Sequence, residues 1–261
     1  MNNQTINQLN NREIDECYFS IICIPVSVYF KDTNLSTNKT TFYLFFGCNI
    51  NGVRKFISAI NIKDYTKVSD YYDFFLNLKS RKINLILYAL IPSNPILKKG
   101  LELAFPKLKS FISPYEPINK IFKYYPCKYS STVFKDIKNI YNSNDLNDYE
   151  VYINTFFDNH SNSLFLKDLL ENYFIQVKNY IPINKLLRKH IFSIYFLREI
   201  DKKITVISHS KDYFLSTDDF VNELIPTIKT IESKMYCSKH EWVDIINIIY
   251  ENDKELIKSY L

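Results

Sequence analysis

The sequence predicts an α/β fold built on a mixed five-stranded sheet. Three observations support this: a hairpin signal between two apolar runs, helical patterns between later strands, and a predominantly helical second half. Of the 261 residues, 46% are hydrophobic and 23% are charged, so the chain can bury a substantial core as a globular protein.

Five apolar runs in the first half have the length of strands. They are Cys17–Phe30, Thr40–Asn49, Val53–Ile60, Leu85–Ile91 and Leu108–Ser113. Asn51 and Gly52 lie between the second and third runs, and Asn-Gly is a strong hairpin signal because both residues tolerate positive φ. The second and third strands are therefore expected to be antiparallel neighbours.

Helical patterns separate the later strands. Apolar residues recur at helical spacing from Val68 to Lys79. Pro95 suits the first position of a second helix, which Phe105-Pro106 ends, and a third helix is expected from about Pro117 to Tyr125. The order βββαβαβα, with the first strand central, is the plan of the ribonuclease H-like fold.

The second half contains almost only helical patterns. We expect three regions: a ribonuclease H-like core over residues 1–125, an all-helical insertion over 126–192, and C-terminal helices over 193–261 that complete the core. Two closing helices are predicted from Asn222 to Met235 and from Trp242 to Leu261.

Composition excludes several classes of protein. With three glycines the chain has no glycine-rich phosphate loop, so we expect no nucleotide cofactor and no small-molecule substrate. No secretory signal or membrane-length apolar run is present. Five cysteines, an odd number without a Cys-x-x-Cys pair, fit reduced thiols, and we expect a cytoplasmic protein.

Several segments match one known family in a single order. Asn11–Asp32 reads NREIDECYFSIICIPVSVYFKD, and the family pattern is N-R-x-L-x-E-x-Y-x-x-x-Y-L-D-A-x-x-V-x-x-R-D. Further matches are YLFFGCNINGVRKF, LNLKSRKINLIL, Ala104–Pro106, DIKNIY, Tyr180–Pro182, Lys202-Lys203, STDDF and Trp242. Over nearly its whole length the chain resembles the catalytic domain of Mutator-type bacterial transposases. Only the polar leader Met1–Asn10 precedes the match, so the DNA-end-binding region of the family is expected to be absent.

The resemblance also shows what the chain lacks. In the family, three carboxylates bind two divalent ions, which need hard oxygen ligands. Their positions fall on Ile24, Pro92 and Tyr195. We therefore predict no catalytic residues, no metal and no cofactor. The alternative is an active Mg²⁺-dependent transposase or nuclease whose ligands have moved, with three fallback carboxylates: Glu102, Glu199 and Asp201.

Basic pairs are the candidate nucleic-acid contacts, because several are expected at the sheet edge where the family holds DNA. They are Arg54, Lys55, Arg81, Lys82, Lys98, Lys99, Lys202 and Lys203. A net charge of +5 supports only non-specific binding of DNA. The leading hypothesis is a transposase-derived, catalytically inactive protein that binds DNA or a protein, with a second copy or an intact transposase as partner.

Overall fold

The computed structural model describes residues 10, 12, 14–31, 36–191, 194–234 and 239–258. Within its helices, the side chains at 127, 128, 194, 195, 198, 201, 208, 209, 234, 239 and 240 lie outside the described part. The chain divides into two compact units, one of residues 1–110 and 195–261 and one of residues 111–194.

The predicted α/β architecture is confirmed. The five strands are β1 (Cys17–Lys31), β2 (Thr37–Asn49), β3 (Arg54–Asn61), β4 (Leu85–Ile91) and β5 (Lys109–Ile112). They form one mixed sheet in the order β3-β2-β1-β4-β5, so β1 is central as predicted. Strand β1 is antiparallel to β2 and parallel to β4, and β2 is antiparallel to β3.

Ten helices lie in the described residues. They are α1 (Val68–Ser80), α2 (Pro95–Ala104), α3 (Tyr115–Tyr124), α4 (Cys127–Tyr141), α5 (Leu146–Asn159), α6 (Leu164–Val177), α7 (Lys185–Ile191), α8 (Ile194–Ser210), α9 (Thr217–Lys234) and α10 (Lys239–Ile257). Helix α9 begins five residues before the predicted start at Asn222. The end of the predicted last helix, residues 259–261, lies outside the described residues.

The turn between β2 and β3 differs in detail from the expected hairpin. Only Gly52 has a positive φ, of 77°, and Asn51 does not. The backbone closes from the Asn49 N–H to the Val53 carbonyl at 2.9 Å, and the Asn49 side chain accepts from the Asn51 and Val53 N–H groups. Three residues therefore form the loop, and a three-residue loop needs the left-handed conformation only at its glycine.

In the first unit, helices cover both faces of the sheet. On one face, β1 and β2 side chains such as Cys23 and Phe45 form a core with residues of α1 and α2, including Phe75 and Leu101. Neighbouring residues of a strand point to opposite faces. The other face therefore carries Phe42, whose ring centre lies 5.0 Å from that of Phe220 in α9.

The outer edge of β3 is covered by side chains from outside the sheet. The Asn10 side chain accepts from the Ala59 N–H at 2.8 Å and donates to the Ala59 carbonyl at 3.0 Å. The Glu232 carboxylate, from α9, accepts from the Phe56 N–H at 2.9 Å. These contacts satisfy edge groups that would otherwise be open to another strand.

A buried arginine stabilises the second unit. Arg188 of α7 is 2% exposed, and its guanidinium donates to the backbone carbonyls of Tyr141, Ser143 and Ile183 at 2.6–2.9 Å. Burial lowers the pKa of the Arg188 guanidinium. Because two of these carbonyls lie at the end of α4, the positive charge also interacts favourably with the C-terminus of that helix.

Candidate functional site

Ile24, the predicted counterpart of the first family carboxylate, lies in the interior of the first unit. Ile24 is 0% exposed and pairs with Leu44 of β2, which is equally buried. Pairing of β1 with β4 ends at Ile22 opposite Leu90, so from Cys23 to Val28 the described residues place only β2 beside β1, and further on Phe30 forms a parallel bridge with Phe214. This explains why the central strand tolerates Pro25: beyond the end of β4, a missing N–H removes no hydrogen bond to that strand.

The second position, Pro92, follows directly after β4 and is buried. Ile24 and Pro92 both lie two residues beyond the last pair of β1 and β4, Ile22 and Leu90. They are therefore at the same level of the sheet, near the carboxyl end of β4. The chain turns away there, because the Pro92 carbonyl accepts from the Asn94 N–H at 2.7 Å and Asn94 caps α2.

The third position, Tyr195, lies in the first turn of α8. Its side chain is outside the described part, as is that of the fallback candidate Asp201. The expectation that Tyr195 completes a cluster with Ile24 and Pro92 therefore stays a prediction.

Polar groups near the end of β4 are neutral and hydrogen-bonded. The Asn94 amide donates to the hydroxyls of Tyr43 and Tyr71 at 3.2 and 3.4 Å. Burial raises the pKa of the Tyr71 hydroxyl, so this group stays protonated. Divalent ions bind anionic oxygens, so Ile24, Pro92 and these neutral groups do not fit a magnesium centre. Among the described residues, no three His, Cys, Asp or Glu side chains could hold a metal ion.

Two of the three fallback carboxylates, Glu102 and Glu199, lie on separate helices and have local partners, and the third, Asp201, is on the same helix as Glu199. Glu102 of α2 accepts from the Ser110 hydroxyl at 2.6 Å and pairs with Lys98 at 3.8 Å. Glu199 of α8 pairs with Lys202 at 2.8 Å. Both carboxylates therefore take part in hydrogen bonds or ion pairs with nearby side chains.

Some of the candidate nucleic-acid cations have a carboxylate partner among the described residues, and others do not. Besides Lys98 and Lys202, Lys55 also has a carboxylate partner, Asp15, at 3.1 Å. Arg81 follows α1, and its guanidinium donates to the Arg12 carbonyl at 2.9 Å. The remaining four are Arg54 at the start of β3, Lys82, Lys99 and Lys203. The sequence pairs therefore do not form one uniform basic surface.

One buried polar cluster, centred on His160, is not predicted by the sequence analysis. The His160 ring lies between Asp136, with Nε2 3.0 Å from Oδ2, and Tyr129, with Nδ1 3.2 Å from the hydroxyl. These residues belong to α4 and the end of α5 in the second unit. A spacing of 24 residues between Asp136 and His160 carries no sequence signal. The His160 side chain is only 4% exposed. Because it follows α5 and contacts two residues of α4, the cluster links these two helices.

Comparison with known families identifies a transposase-related protein. Residues 2–230 match the model of the family described as "Transposase, Mutator family". The chain belongs to the Mutator family of transposases. No curated protein matches the chain significantly. In the part of the chain that the structure describes, no helix has both the length and the apolar character needed to span a membrane.

Proposed function

We propose that this Mutator-family protein does not catalyse strand transfer and acts through binding. The observation that carries the proposal is the burial of Ile24 and Pro92, two apolar residues at neighbouring family carboxylate positions. In this proposal, core residues stand where the family has its metal ligands.

The chemistry of transposition explains why this matters. Two-metal phosphoryl transfer requires carboxylates that hold both ions about 4 Å apart, so that the attacking and leaving oxygens are both stabilised. An alkyl side chain and a proline ring supply no anionic oxygen. Restoring one ligand from Glu102, Glu199 or Asp201 would still leave two of the three positions without a carboxylate.

The binding role that we propose is contact with the DNA backbone, alone or together with a second copy or an intact transposase. Unpaired cations such as Lys82 and Lys99 attract phosphates without reading bases, so the contact is non-specific. Its affinity falls steeply with salt, because bound cations release counterions from DNA.

The test uses purified protein, labelled double-stranded DNA and Mn²⁺, with an active member of the family as positive control. We expect no cleavage and no strand transfer. Glu102→Ala and Glu199→Ala are assayed in parallel. Cleavage by the unmodified protein that is lost in either variant would establish the alternative, an active enzyme with relocated carboxylates.

A further inference from the structure

A polar cavity in the first unit lies at the start of edge strand β3. Its volume is about 510 Å³, and the residues that line it are Arg12, Val53, Arg54, Lys55, Phe56, Glu232 and Ser233. Arg54 pairs with Cys48, and the end of β2 pairs with the start of β1, where Tyr18 lies opposite Asn49. Tyr18 is six residues from Ile24, which is about 20 Å along a β-strand. The cavity is therefore well separated from Ile24, which lies in the middle of β1.

Among the described residues, Arg54 is the cation of this cavity without a carboxylate partner. Its guanidinium carbon lies 4.0 Å from the centre of the Phe196 ring, and this cation–π contact is the interaction that the described residues offer it. When a guanidinium lies on the face of an aromatic ring, the N–H groups at the edges of the guanidinium remain available to bind a ligand. That planar fork matches two oxygens of a phosphate group.

The other charges of the cavity are already paired. Glu232 accepts from the Phe56 N–H and from the Arg12 guanidinium at 2.7 Å, so this carboxylate is held away from Arg54 by two partners. Lys55 pairs with Asp15 at 3.1 Å and remains partly exposed. Three cations and one carboxylate line the cavity, which leaves an excess of positive charge around Arg54.

We propose that this cavity binds a phosphate group, with Arg54 as the bidentate ligand and with Arg12 and Lys55 adding positive charge. The phosphate comes either from a free phosphorylated molecule or from a nucleic-acid backbone, because both present the same oxygens. The site is independent of the proposed inactivity, since it lies near the start of β1 and Ile24 lies in the middle of that strand.

The protein carries its own reporter for this site. Trp242 is the one tryptophan of the sequence. Its ring lies against Gly52, and its indole N–H donates to the Ile50 carbonyl at 2.7 Å, in the turn that precedes Val53. Ligand binding next to Val53 is therefore expected to change the fluorescence of Trp242.

The experiment titrates the full chain separately with inorganic phosphate and with a short DNA duplex that has no terminal phosphates, at constant ionic strength. We expect saturable binding of at least one probe. Arg54→Gln should weaken binding about tenfold or more, as expected for loss of charge-assisted hydrogen bonds. Lys135→Gln, which removes an exposed cation of α4 in the second unit, should change it less than about twofold, as for a screened surface charge.

Glu232→Gln changes the charge of the cavity while keeping the hydrogen bond to β3, so an effect on binding is not due to loss of folding. The amide oxygen can still accept from the Phe56 N–H, while the loss of negative charge frees Arg12, so we expect tighter phosphate binding. Binding of phosphate alone assigns the site to a free phosphorylated molecule, and binding of the duplex alone assigns it to nucleic acid. Absence of binding to both probes, or equal effects of Arg54→Gln and Lys135→Gln, would overturn the proposal. The outcome of this binding experiment and the outcome of the cleavage assay are independent of each other.

Discussion

Replacement of Ile24 by Asp tests whether the first family position can still accept a carboxylate. Ile24 is 0% exposed, and its strand neighbour Leu44 is also fully buried. Truncating a buried isoleucine costs about 2–5 kcal/mol, and burying a neutral polar group without a partner adds about 1–3 kcal/mol. Asparagine has the shape of aspartate without its charge. We therefore expect Ile24→Asn to lose about 3–8 kcal/mol of unfolding free energy.

The charge of the aspartate adds a cost that depends on pH. Burial raises the pKa of an aspartate in the folded state above its unfolded value near 3.9. The added cost is therefore absent below about pH 4 and grows as the pH rises. At pH 7 it reaches at most about 4 kcal/mol, because beyond that limit the folded protein binds a proton instead.

The assay is urea unfolding of the unmodified protein, Ile24→Asn and Ile24→Asp between pH 4 and pH 7, with and without Mn²⁺. We expect the two variants to have similar stability near pH 4 and to diverge as the pH rises, without an effect of Mn²⁺. An Ile24→Asp protein that stays within about 1 kcal/mol of the unmodified chain at pH 7 and gains stability from Mn²⁺ would refute the reasoning.

Three further changes test other parts of the structure. Arg188→Met removes the donor from two buried carbonyls and one partly buried carbonyl and should cost about 3–5 kcal/mol in urea unfolding, with exposed Lys135→Met as a nearly neutral control. Gly47→Ala places a methyl group against the buried Tyr18 ring and should cost about 1–3 kcal/mol in the same assay; unchanged stability would show that the ring can move. Asp219 accepts hydrogen bonds from the Lys211 ammonium and a backbone N–H, which lower the pKa of its carboxyl. Its contribution is therefore present above about pH 4 and lost as the pH falls, so thermal unfolding of Asp219→Asn should show a smaller difference between pH 3 and pH 7 than that of the unmodified chain.

Much of the sheet could be predicted from the sequence because its strands are continuous apolar runs bounded by turn residues. Leu85–Ile91 was predicted with the bounds that the structure has, since a strand buried on both faces contains no polar residue to blur its limits. The start of α9 was missed because Thr217 to Val221 mixes polar and apolar residues, and tertiary contacts such as that of Phe220 with Phe42 hold this turn as helix.

The candidate sites show where sequence reasoning stops. Ile24 and Pro92 lie at the same level of the sheet because of the register between β1 and β4. Aligning these two apolar segments in the sequence could indicate that register. The stacking of Arg54 on Phe196 and the cluster around His160 join residues far apart in the chain. Side-chain contacts of this kind depend on how helices pack, and no local pattern encodes them.

The covered edge of β3 also limits how copies of this chain can associate. A second copy could continue the sheet at β3 only by displacing Asn10 and Glu232 from the backbone groups they bind. The opposite edge strand, β5, has four residues and offers a short ladder. Growth by strand addition, the route by which sheet proteins form fibres, is therefore blocked at one edge by side chains and restricted at the other by length.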